Sequence, residues 1–297
     1  MTLRLVLPAV AAVAVALPAV WPQRRLHPAL GARVLASALA AVLLAVVAAL
    51  VTLAVGFVSA IPWFAEHFSW CDTFSRTHGE VPLWLGVPAV GMLVLMAATG
   101  GAAYTRARRC LWARRQLAAD VLVVDDDRPD AYARGGRHGH VVVSAGMLRL
   151  LDPAEREVLL AHERSHLRHR HHRFLALAMV AGAALPPLGF LTRRLRLAVE
   201  RWADEDAAAE VGDRRLVAAT IARAALARTE HRRRLGLAVG LVGVPARVDA
   251  LLLPPPASTP APLDAVLALP PLAVAVLGGA TLQVHHLWRF AAHVCGL

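Results

Sequence analysis

Residues 34–61 read VLASALAAVLLAVVAALVTLAVGFVSAI, 28 positions without a charge. About 20 apolar residues in helical form cross a bilayer core, and a helix is required because an unpaired backbone group in lipid costs several kcal/mol. The stretch reads as a membrane span, and everything else in the chain must be placed around it. The whole sequence of 297 residues is 57% hydrophobic and 18% charged, with mean hydropathy +0.52. That is more apolar surface than a soluble domain of this size needs. Segments 5–20, 82–104 and 265–284 are also long, apolar and uncharged, the last following a PPPASTPAP linker. The first has the position of a secretory leader, but Pro18, Trp21 and Pro22 follow it and a second span comes soon after, so it reads as an uncleaved span. A fifth segment, 174–191, is shorter and interrupted by Pro186 and Pro187. It fits a re-entrant or partly buried helix as well as a span.

Basic residues orient such a chain. Arg24, Arg25 and Arg33 lie between the first two spans, and Arg106, Arg108, Arg109, Arg114 and Arg115 follow the third. The loop between spans two and three carries one arginine against Glu66, Asp72 and Glu80. Both arginine-rich loops are therefore expected in the cytoplasm, and the N-terminus and the acidic loop outside. The predicted organisation is three transmembrane helices over 1–105, a cytoplasmic domain over 106–262 and a final span with its tail over 263–297, in a multi-pass protein of the inner (plasma) membrane. Net charge is +11, but the arginines sit mainly beside spans and no recognition motif accompanies them, so no nucleic-acid partner is expected. No ionisable residue interrupts the four spans, which argues against a transporter. Cys71, Cys110 and Cys295 are far apart and signal neither a disulfide framework nor a cysteine metal site.

In the polar middle of the chain, VLVVDDD (121–127) and HVVVSAGML (140–148) are strand candidates, with Gly135 and Gly136 turning between them. Asp152 is placed as an N-cap, Pro153 suits the first helical position, and Glu155 stands where a capping-box acid belongs. Nothing after Pro153 breaks the helix before Arg173, so HERSH falls on a helix. Further helices are predicted over 194–211 and 216–234.

That helix carries LLAHERSHLRHRHH, with five histidines in eleven residues. His162 and His166 are four apart and share one helical face, the spacing that lets two imidazoles bind one Zn²⁺. Glu163, beside the first, can take a proton from a water and later deliver it to a leaving amine. For His169, His171 and His172 the preferred reading is an exposed basic helix end. A catalytic zinc needs a third protein ligand and an open fourth position. Two residues compete for the third place. His172 follows His162 by ten residues, a spacing used where a glycine breaks the helix, but His169 stands at that glycine position and an unbroken helix turns His172 away. Glu200, in VERWADEDAA, is the stronger candidate. It shares a helical face with Asp204, which could accept the N–H of a ligand imidazole.

HERSH followed by ERWAD resembles the gluzincin pattern H-E-x-x-H…E-x-x-x-D. The segment HVVVSAGMLRLLDPAEREVLLAHERSHLRHRHH is similar to the strand, turn and active-site helix of membrane-bound zinc peptidases. Two related families are resembled: the BlaR1/MecR1-type (M56) and the HtpX/Ste24-type (M48). DAYA (130–133) is similar to a strand-edge segment near the active site in the second. The span layout and RVDALLLPPP look more like small M56 proteins. The resemblance covers 120–256. It implies a mainly α, multi-span membrane protein with a cytoplasmic gluzincin-like α+β metallopeptidase domain, holding one Zn²⁺ per chain on His162, His166 and Glu200 with Glu163 as base. No room exists for an extracellular sensor domain, so antibiotic sensing is not expected. The expected substrate is a protein or peptide, a cytoplasmic repressor or a membrane protein, pairing as an extended strand with the edge at 141–144. Tyr132 is a candidate for oxyanion or substrate contact. The competing expectation is a membrane receptor or scaffold that binds zinc without hydrolysis, its fourth position closed by protein, for instance by His169.

Overall fold

The computed structural model describes residues 27–67, 81–112, 119–234 and 243–256. The apolar segments 5–20 and 265–284 lie outside the described residues. Within them the chain is mainly helical, with one small sheet. Helix α1 (Pro28–Ser59) begins where the His27 ring accepts the Ala29 N–H and Pro28 occupies the first turn. A short α2 (Pro62–His67) precedes α3 (Leu83–Leu111). Helices α1 and α3, 32 and 29 residues, are the two described helices long and apolar enough to cross a membrane. At 1.5 Å per residue they run about 48 and 44 Å, more than a bilayer core of about 30 Å. On α3, Leu83, Trp84, Val94 and Leu95 are each more than half exposed, an uncovered apolar face. Gly86 lets α3 approach α1: a Cβ there would stand 2.2 Å from the Phe57 ring.

The segment 174–191 folds as two helices and a corner. Helix α6 (His171–Ala184) stops at Leu185, a 3₁₀ turn covers Pro186–Leu188, and α7 (Gly189–Val211) follows. The two prolines lack the N–H that would continue α6. With 14 residues, α6 is about 21 Å long, too short to span. Ala178 and Ala181 are fully buried and join Leu35, Leu39, Leu195 and Val199 in one core of α1, α6 and α7.

The sheet has the order β1-β3-β2, with β1 Val121–Val124, β2 Ala131–Arg134 and β3 His140–Ser144. Strand β1 runs parallel to β3 (Val121 opposite Val141) and β2 antiparallel to it (Tyr132 opposite Val142). Hydrophobic patterning gives only a turn between its two strands; β2 has no alternating pattern and overlaps DAYA (130–133), the segment whose family resemblance is to a strand edge. All of β3 is buried, so the expectation of a substrate at the edge of 141–144 is corrected: that strand is central and both its sides are taken. Ser144 ends β3 and caps α4 (Ala145–Leu150) by accepting the Met147 N–H.

Helix α5 (Pro153–Arg168) carries the capping box, Asp152 accepting from Glu155 N–H and Glu155 reaching back to Asp152 N–H. It stops five residues before the predicted end. His169 caps it, and Arg170 takes a left-handed conformation (φ 54) before α6 begins. Such a residue costs about 1–2 kcal/mol without a glycine, and no local signal marks it. Helix α7 starts earlier than predicted and ends at Gly212, also left-handed. Helices α8 (Arg214–Arg234) and α9 (Val244–Leu252) complete the described chain. Arg214 binds Glu205 of α7 and donates to the carbonyls of Leu251 (3.0 Å) and Ala250 (3.1 Å), fixing the end of α9.

Candidate metal centre

Helix α5 presents His162 and His166 on one face, and α7 brings Glu200 across from it. One ligand atom from each of the three lies within 4.8 Å of the others. The two Nε2 atoms are 3.2 Å apart, and Glu200 Oε2 and Oε1 stand 3.6 and 3.9 Å from them. Both Nδ1 atoms face other partners, which leaves both Nε2 atoms turned toward Glu200. Two imidazoles and one carboxylate are a donor set that zinc takes. The residues present therefore fit such an ion.

Behind the ligands lies a buried ion-pair lattice. Asp204, one turn after Glu200 and 1% exposed, places Oδ1 3.0 Å from His162 Nδ1. Arg247 of α9 grips Asp204 with two hydrogen bonds (Nε to Oδ2 2.7 Å, Nη2 to Oδ1 2.6 Å) and reaches Glu200 Oε2 at 2.9 Å. Burial opposes charge on every member. For Glu200 and Asp204 the Arg247 charge prevails and holds both carboxyls below their usual range. For His162 burial lowers the pKa, but the hydrogen bonds to Asp204 and Glu200 outweigh it and raise the value to about 9. His166 goes down, pushed first by burial and then by His162 beside it. Sequence reading did not single out Arg247. The available signal was that two acids one turn apart on a buried helix face need a cation.

The break at His169–Arg170 sends the remaining histidines to different places, which corrects the reading of an exposed basic end. His171 is fully buried, its Nδ1 3.0 Å from His166 Nδ1. Burial, then the neighbouring histidines His166 and His169, push its pKa far down, so it stays neutral. His172 is also buried and does not join the three ligand atoms. It packs edge-on to Trp112 and fills the space over Gly135, where a Cβ would lie 1.9 Å from its ring. His169 Nε2 lies 2.8 Å from Asp206, which also accepts from Ser165 Oγ, and its ring lies tilted against Trp202 at 4.4 Å. Its nitrogen is therefore committed away from the cluster.

A cleft of about 370 Å³ opens over the cluster, and Glu163, Tyr132 and Ala133 line it together with His162, His166 and Glu200. Glu163 is 6% exposed and Tyr132 39%. Strand β2 forms the wall. Ser144 N–H donates to Asp130 O and Val141 N–H to Asp120 O, so β3 turns its backbone groups alternately to β2 and β1. The same alternation turns the N–H and C=O of Ala131, Ala133 and Gly135 outward. Arg228 takes the Ala131 carbonyl at 2.9 Å, and Gly135 N–H donates to Leu111 O at 2.8 Å. Among the described residues nothing bonds the outward pair of Ala133.

Residues 109–233 match the family described as peptidase family M48. Proteins named protease HtpX homolog are similar over part of this region. That of Leuconostoc mesenteroides is 37% identical over 67 residues, 22% of this chain and 23% of its own length. The Acidiphilium cryptum protein is 42% identical over 66 residues (21% and 23%), and that of Dictyoglomus thermophilum 36% over 88 (29% of each). The chain thus spans about a quarter of the length of these curated relatives. No solved structure matches it significantly. The matches are to family M48 and to HtpX homologues, on one of the two sides of the sequence resemblance. The M56 side rests on the sequence reading alone.

Proposed function

We propose that this chain is a membrane-embedded, zinc-dependent endopeptidase that hydrolyses peptide bonds of a protein substrate at the cytoplasmic membrane face. One observation carries the reading: three ligand atoms from α5 and α7 converge at a cleft that also holds Glu163 and an edge strand. His162, His166 and Glu200 would hold the ion, which supplies Lewis acidity toward a water and the scissile carbonyl when bound. Glu163, the neighbour of His162 on α5, accepts the proton of the attacking water and passes it to the amine nitrogen as the peptide bond breaks. Asp204 fixes the His162 ring, and Arg247 keeps both acids of α7 ionised and aimed inward. The substrate pairs as an extended strand with β2, where nothing among the described residues bonds the outward N–H and C=O of Ala133. Tyr132 contacts it from the same wall.

The membrane assignment belongs to the same reading. Helices α1 and α3 span the bilayer, the apolar segments 5–20 and 265–284, outside the described residues, are further spans by sequence alone, and the arginine-rich end of α3 sets residues 106–262 in the cytoplasm. The hairpin of α6 and α7 then lies against the spans without crossing, bringing the cleft close to the lipid. A cytoplasmic repressor or a membrane protein fits such a site as substrate. Purified full-length protein in detergent, incubated with zinc and an unfolded protein, should cleave it. Glu163→Gln should retain zinc and lose cleavage, whereas an active Glu163→Gln would refute the assigned base and turnover by neither protein would favour the non-hydrolytic scaffold.

A further inference from the structure

Every ligand imidazole needs its second nitrogen held, and in most metal sites a carboxylate or a carbonyl does this. Asp204 plays that part for His162. For His166 the atom within reach is another imidazole nitrogen: His171 Nδ1, at 3.0 Å, with the two rings edge to face at 4.9 Å and 83°. Two nitrogens at that separation share one proton, so one donates and the other accepts. A cation on His166 Nε2 requires the proton of that ring to be on Nδ1. His166 is then the donor and His171 the acceptor, which places the proton of His171 on its Nε2. Among the described residues that buried atom has no hydrogen-bond partner, and the ring lies among Trp202 (4.7 Å) and Phe174 (6.2 Å). The left-handed turn at Arg170 is what folds His171 back onto α5.

We infer that His171 is a positioning residue of the metal centre: as a neutral imidazole it accepts the Nδ1 proton of His166 and holds that ring with Nε2 toward His162 and Glu200. The two ligand histidines thereby differ. His162 is backed by a carboxylate and is the more basic ligand, and His166 is backed by a neutral ring that adds no charge. The inference rests on the metal reading of the three ligand residues.

The test uses the full chain in detergent. In zinc-loaded wild type with ¹⁵N-labelled histidine, nitrogen couplings should show His166 protonated on Nδ1 and His171 on Nε2. A proton on His171 Nδ1 overturns the inference, and this measurement needs no variant to fold. His171→Phe keeps ring bulk and removes the acceptor. It should weaken Zn²⁺ and Co²⁺ binding 10–100-fold and shift the visible Co²⁺ bands, with the melting of the metal-free protein little changed. His171→Asn returns an acceptor near the Nδ1 position and should recover most of the loss. Wild-type affinity in His171→Phe, or an equal loss in both variants, overturns the inference. A wild type that binds no zinc is a separate result, since it removes the metal centre itself.

Discussion

The long apolar helices with α6 and the helices around the cleft are held by opposite means. Helices α1, α3 and α6 meet through small residues: Gly86 under Phe57, and Gly100 beside Ala184 and Val180. Nothing there depends on charge. Around the cleft, Asp204, Arg247, Glu200 and His162 are tied together in a region where each charge alone would be costly. The first arrangement tolerates exchange of one apolar group for another of like volume. The second does not tolerate loss of Asp204 or Arg247, because removing either leaves the other buried and uncompensated, whereas Glu200 is a third exposed and Arg247 keeps Asp204 without it. The difference teaches where geometry is set: the apolar helices provide a platform, and the ion pairs aim the ligands.

The sharpest way to separate the two regions is through chemistry alone. Glu163→Gln should lower turnover by about 10²–10⁴-fold, the range a general base contributes, while zinc content and melting stay as in wild type. Equal turnover would detach the cleft from catalysis. Next comes the lattice. Arg247→Met should destabilise the fold by about 3–5 kcal/mol, the cost of stranding a buried charge, and weaken zinc binding because Asp204 and Glu200 then repel each other. Denaturant unfolding read beside metal titration checks both effects, and an Arg247→Met protein as stable as wild type would mean that α9 contributes nothing to the site. On the other side, Gly86→Ala forces Phe57 to move and should cost about 1–3 kcal/mol without altering zinc affinity. A drop in affinity would show that the two regions are coupled.

The smallest effect is in pH. In the metal-free chain His162 rises from 6.5 to about 9, so it holds a proton at pH 7 that a metal must displace. Zinc affinity should therefore strengthen by up to tenfold per pH unit, about 1.4 kcal/mol, and level off above about 9. The stability of the metal-free fold has the opposite sign: the raised value contributes fully below 6.5 and is lost as pH rises through about 9. Calorimetry in buffers of different ionisation enthalpy would detect the released proton, and binding independent of pH would contradict the lattice at His162.

Local rules carried much of this from sequence alone. The capping box at Asp152 and the four-residue spacings of His162/His166 and Glu200/Asp204 are short-range patterns, and helix geometry turns each into a shared face. The uncharged run at 34–61 was equally plain. What sequence did not reveal depends on contacts between distant segments or on one unusual backbone angle. Arg247 lies 43 positions from its Asp204 partner, and no local pattern links the two. Strand β2 carries no alternating pattern, and only the resemblance at DAYA (130–133) points to it. His171 comes to His166 because Arg170 turns left-handed, where nothing in HLRHRHH announces a break. The prolines at 186–187 mark an interruption in the sequence, and the corner between α6 and α7 is set by contacts with α1 that the sequence does not display.

The central claim is that α5 and α7 jointly hold one cation, and Glu200 is the residue that decides it. Zinc content of the purified full chain should be one ion per chain in wild type, falling steeply in Glu200→Ala while the metal-free fold persists. A Glu200→Ala protein that retains zinc at wild-type affinity would contradict the account.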